Sequence, residues 1–158
     1  MVADTRKQTC LDAEGFVMDE PWHVVHTIDD WYDGSRGGVA DYFGVSHYYR
    51  SIYLDTPTWN PDEDRFELTL LPTVAFEAAL ELQAIWEKWH QAYKAGTAPE
   101  DPDDERVLPE DKTKNAELTQ ILAAGRESGK DRIILVRGEF KLGCKHVCWR
   151  KMEQEVLE

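Results

Sequence analysis

Between residues 16 and 59 the chain places more than half of its tryptophan, tyrosine and phenylalanine residues in less than a third of its length. Aromatic and β-branched side chains at that density suit a pleated sheet covered in part on both faces. The run Trp22-His23-Val24-Val25-His26-Thr27-Ile28 reads as a first strand that continues to Trp31-Tyr32 and stops at the turn pair Asp33-Gly34. Gly37-Gly38 opens Val39-Ala40-Asp41-Tyr42-Phe43, and Gly44 with Ser46 turns the chain into the aromatic stretch around His47-Tyr48-Tyr49, so a hairpin is expected there. Arg65-Phe66-Glu67-Leu68-Thr69-Leu70-Leu71 alternates polar and apolar residues with period two, the pattern of a half-buried strand.

The texture changes after Pro72. A long helix is expected from Thr73 as N-cap to Gly96 as stop, with Leu82, Ile85, Trp86, Trp89 and Tyr93 forming one buried stripe. Residues 97–114 are acidic and carry Pro99, Pro102 and Pro109, which predicts a solvated loop outside the core. A second helix follows from about Asn115 to Ser128, with Leu118, Ile121 and Leu122 on one face and Gly129 at its end. The run 131–136 suits a central strand, extended to Leu142 with a bulge expected at Gly138, and residues 146–152 supply a last strand. Strands, two helices, then strands again predict an α+β domain: a mostly antiparallel, curved sheet of about six strands with two helices on one face. Residues 1–20 read as a weakly ordered lead-in to this single domain.

Composition narrows the function classes. At 158 residues and 42% apolar content the chain suits one domain with one core. A formal charge of −13 disfavours duplex DNA and anionic membranes, because both would repel such a surface. No apolar run reaches membrane length, and the first residues lack the apolar centre of a secretory signal, so a cytoplasmic protein is expected. Three cysteines, Cys10, Cys144 and Cys148, are too few and too odd in number for a stapled secreted domain, and free thiols are expected.

Chemical motifs are sparse. The stretch 125–131 is similar to a phosphate loop but is one residue short, carries Asp131 where a hydroxyl belongs and follows a helix. Cys144-x-His146-x-Cys148 puts three ligand types on one face of a strand, but neighbours two apart sit roughly 6.5 to 7 Å apart, wide for tetrahedral zinc. His23 and His26 point to opposite faces of a strand. No metal site and no cofactor is expected.

The most informative segment is 29–48, which gathers carboxylates, one guanidinium, an imidazole and turn residues around a strand, a loop and a hairpin. Asp30, Asp33, Arg36, Asp41 and His47 are its ligand-binding candidates. The same residues have a structural reading: Asp33-Gly34 is turn chemistry, Arg36 pairs with Asp30 or Asp41, and the tyrosines pack the sheet. The string Asp30-Trp31-Tyr32-Asp33-Gly34-x-Arg36-x-Gly38-x-Ala40, with Gly44, His47 and Tyr49 downstream, resembles a segment of small uncharacterised bacterial proteins. The resemblance covers about an eighth of the chain; it implies a bacterial origin and transfers no catalytic residue.

Two functional readings follow. In the first, the chain is a non-catalytic interaction protein of the inhibitor, immunity or adaptor kind, whose acidic loops dock a basic protein. In the second, it is a small enzyme or ligand-binding domain in which Asp30, Asp33, Arg36, Asp41 and His47 converge in one pocket with a perturbed carboxylate or imidazole.

Overall fold

The computed structural model describes residues 9–11, 17–31, 34–52 and 65–152. They form an α+β fold in which an antiparallel sheet curls into a half-barrel and two helices cover one of its faces. Eight strands take part: β1 (Thr9–Leu11), β2 (Val17–Val24), β3 (Asp30–Trp31), β4 (Ser35–Tyr42), β5 (Val45–Ser51), β6 (Arg65–Leu70), β7 (Ile134–Phe140) and β8 (His146–Lys151). Their order in the sheet is β1-β2-β8-β7-β6-β5-β4-β3. The class is the one expected, with more strands than the six read from the pattern. The additional ones include β1 and the first half of β2, which lie where a weakly ordered lead-in was expected.

The curl has a specific cause. The segment 17–31 starts paired with β8, through Trp22 opposite Cys148 and Val24 opposite His146, and ends paired with β4, through Asp30 opposite Gly37. In between, Val25 bridges Ala40, and the amides of His26 and Thr27 both donate to the Val39 carbonyl. One stretch of chain thus joins two strands that lie far apart in the sheet order. Gly38 permits the contact: its φ is +151°, and a Cβ there would lie 2.1 Å from the Thr27 carbonyl oxygen.

Period-two alternation sorts the side chains into two cores. On the concave face Ala40, Tyr49, Phe66, Leu68, Val136, Val147 and Trp149 are buried together. Phe66 and Trp149 meet edge to face at 5.4 Å, and Tyr49 lies 5.8 Å from the same indole, geometries that suit aromatic quadrupoles. On the convex face Val39, Tyr48 and Leu71 pack under the helices with Ala75, Ala79 and Leu122. Gly138 creates no bulge. It pairs in register with Trp149, and a Cβ at this position would lie 2.4 Å from the Trp149 ring, so this glycine makes room for the indole.

The helices are α1 (Thr73–Lys94) and α2 (Lys112–Ser128). Pro72 occupies the N-cap of α1 with no side-chain cap, while Gly96 follows the helix at φ +76°, as its stop role requires. The expected buried stripe of α1 is corrected. Its buried residues are Ala75, Ala78 and Ala79, whereas Trp86 is 40% and Tyr93 63% exposed. Small side chains let the first half of the helix approach the sheet closely. Apolar spacing alone does not tell which turns of a long helix have a sheet beneath them.

The loop 97–114 is also partly corrected, since Val107 and Leu108 are buried and α2 begins at Lys112. Asp101 organises the loop by accepting hydrogen bonds from the amides of Asp103 and Glu105 and from Lys112 Nζ. The free-thiol expectation holds for Cys144 but not for Cys148, which is disulfide-bonded. A disulfide belongs with oxidising compartments, so cysteine usage no longer supports the cytoplasmic expectation. No described helix is long and apolar enough to cross a membrane.

Replacing Gly138 by alanine should destabilise the fold by roughly 1–3 kcal/mol, because neither Trp149 nor Phe66 has space to retreat. Denaturant unfolding followed by tryptophan fluorescence measures the change, and parent-like stability would show that the concave core is loosely packed.

Candidate functional site

The segment that closes the half-barrel and the first helix stand on either side of a cleft of about 670 Å³. Residues 27–31 form one wall, Ala79, Leu82, Gln83 and Trp86 of α1 the other, with Leu122 of α2 and Arg106 completing it. The α1 contributors follow the three- and four-residue spacing of a single helix face. Gln83 ties the walls together by accepting a hydrogen bond from the Ile28 amide at 3.3 Å.

Asp29 is the most perturbed acid in the cleft. Burial pushes its carboxyl above the usual carboxylate range, against the opposing effects of a hydrogen bond from the Tyr48 hydroxyl at 2.9 Å and of nearby Arg126. Tyr48 is held from the far side as well, with the Arg126 guanidinium 3.9 Å above its ring, and burial raises its phenol far above the ordinary range. Trp31, next in line on the edge strand, is 61% exposed.

The candidates drawn from the sequence fall in separate places. Asp30 lines this cleft. Asp33 lies outside the described residues. Arg36 is only 4% exposed and borders a different pocket of about 450 Å³ with Glu139, Lys141 and Cys144. It does not lack a partner. Asp41 accepts from His26 Nε2 at 2.8 Å, and its carbonyl accepts from Trp149 Nε1 at 3.0 Å. His47 is buried, with Nδ1 on the Val45 carbonyl and its ring against Tyr42. The five therefore do not share one pocket, because strand alternation and the curl send Asp30, Arg36 and Asp41 to different surfaces.

Around Asp41 stands a second polar cluster. His23 Nδ1 accepts from the Phe43 amide at 3.2 Å, which fixes a neutral ring there, and its buried Nε2 has no partner. Burial lowers the pKa of both His23 and His47, outweighing the pull of Asp41. Among the described residues no group of three His, Cys, Asp or Glu side chains is arranged to hold a metal ion. Cys144 sits in a turn at φ +56°, and Cys148 is committed to its disulfide.

Sequence reading missed Asp29, Trp31, Gln83, Trp86 and Arg106. The adjacent Asp29-Asp30-Trp31 lay inside the segment that had been singled out, while Arg106 and the α1 face carry no local signature. Together the fold and the site define a curled α+β domain with a mixed polar and aromatic cleft at its sheet edge. No protein-family model, curated protein or solved structure matches the chain.

Two outcomes follow. Arg36→Ala should cost on the order of 3–5 kcal/mol, since a buried cation leaves its surroundings uncompensated when removed, and Arg36→Lys should recover only part. A change within about 0.5 kcal/mol would instead mark a surface residue. Second, the unfolded chain binds protons at His23 and His47 near the ordinary histidine pKa while the native state resists them, so stability should drop as pH falls below about 6.5. Guanidinium titrations should give a lower stability at about pH 5.5 than at about pH 7.5, and the His23→Gln/His47→Gln pair should flatten the difference.

Proposed function

We propose that the chain is a non-catalytic interaction protein that holds a basic protein partner, with the cleft between residues 27–31 and α1 as its receptor site. The observation that carries this reading is a cavity that sets two adjacent carboxylates, Asp29 and Asp30, beside two tryptophans, Trp31 and Trp86. Carboxylates attract a lysine or arginine head, and indole faces add a cation–π attraction of about 0.5–2 kcal/mol. Tryptophan is also the residue most suited to anchor an interface from a partly exposed position. The net charge of −13 steers a basic partner toward the surface from a distance.

The alternative of a small enzyme or ligand-binding domain draws on one observation, the desolvated Asp29 held by Tyr48 inside the same cleft. It loses the constellation first read for it, because Asp41 and His47 belong to a different cluster from Asp30. The bacterial origin implied by the segment around Asp30 and Ala40 directs the choice of lysate for the test.

Affinity capture on the immobilised protein, with mass spectrometry of what is retained, should recover a basic partner that elutes as salt rises toward about 0.5 M, where surface electrostatics are largely screened. The same partner should be lost on Asp30→Lys and weakened at least about tenfold on Trp86→Ala. Equal retention by parent and both variants would overturn the reading.

A further inference from the structure

Asp30 on β3 and Arg106 in the loop before α2 line the same cleft, yet among the described residues neither forms an ion pair or a side-chain hydrogen bond. Both residues are exposed, so their charges face the cleft and solvent without a mate among the described residues. Ile28, Ala79, Leu82 and Leu122 add apolar surface to the lining of the same cleft. Opposite charges that share one cavity without meeting present complementary potentials at two points, with apolar surface to be covered in the same lining.

Resting on the reading of this cleft as the receptor site, we infer that it accepts a zwitterionic group: a cation beside Asp30, Trp31 and Trp86, and a carboxylate at Arg106, joined by an apolar spacer. A lysine or arginine residue with a free α-carboxylate has this chemistry, whether it ends a partner's chain or arrives as a free amino-acid derivative. The guanidinium of Arg106 suits a carboxylate because its two parallel N–H donors match the two oxygens. A ligand with only a cation would meet Arg106 as a like charge. One with only an anion would meet Asp29 and Asp30. A volume of about 670 Å³ lies in the range that encloses a small ligand or a terminal residue.

Calorimetric titration with three probes tests the inference: Nα-acetyl-lysine, its C-terminal amide and Nα-acetyl-norleucine. Nα-acetyl-lysine should bind at least about tenfold more tightly than either of the others. Arg106→Gln should abolish the preference for the acid over the amide, and Asp30→Asn the preference for lysine over norleucine, each variant keeping the parent's melting temperature. A lysine-ended peptide that binds more tightly than Nα-acetyl-lysine assigns the site to a chain terminus; equal binding assigns it to the free derivative. Acid and amide binding alike, or no probe binding at all, overturns the inference. If the probes fail while a basic partner is still lost on Asp30→Lys, the interaction reading stands without the zwitterion; if Asp30→Lys keeps the partner, the interaction reading itself falls.

Discussion

The close passage of Thr27 over Gly38 is the contact on which the remaining structure depends. The Thr27 side chain accepts from the Val39 amide at 2.9 Å, its carbonyl accepts from the Tyr49 hydroxyl at 3.1 Å, and Tyr49 in turn meets Ser35. All of these groups are buried, so each bond also spares the cost of an unmet polar atom. Any side chain at residue 38 would push Thr27 away and separate the closing segment from β4. A buried polar knot of this kind specifies one geometry, since a slipped register would leave several of its members unsatisfied at once.

From that passage the site follows. Residues 29–31 leave the knot at the sheet edge, where they line the cleft against the helix pair. Asp29 is caught between two effects, burial that disfavours its charge and a Tyr48–Arg126 stack that favours it, and burial wins. Tyr48 belongs to the convex core while its hydroxyl reaches the cleft, so packing beneath the helices and the electrostatics of the site share one side chain. The alanines of α1 serve the same end: by letting the helix settle closely at its start, they carry Gln83 and Trp86 to the opposite wall.

The three histidines near Asp41 show how a fold uses polar residues away from any cavity. His23 accepts from the hairpin tip at Phe43, and His26 reaches Asp41, so the β4–β5 hairpin is fastened to the closing segment through imidazoles. Burial that lowers the pKa of His23 makes its bond to the hairpin tip sensitive to acid. In the sequence His23 and His26 read as structural and His47 as a ligand-binding candidate; in the structure each of the three hydrogen-bonds a neighbouring residue.

Much of the local architecture was legible in the sequence. The alternation in 65–71 marks β6, the aromatic pairs around Gly44 mark the β4–β5 hairpin, and Gly96 and Gly129 mark helix ends, because period, turn chemistry and capping act over a few residues. The α+β class follows from the order of those elements. Tertiary structure alone decided that the segment 17–31 serves two distant strands, that Gly138 yields space to Trp149, that Val107 and Leu108 are buried inside an acidic loop, and that α1 buries alanines while exposing tryptophan. It also decided which charges face one another, separating Asp41 and His47 from Asp30 and bringing Asp30 into one cleft with Arg106. Residues about 75 positions apart line one cleft there because the sheet curls, and curl is a sum over many strand pairings that no local pattern records.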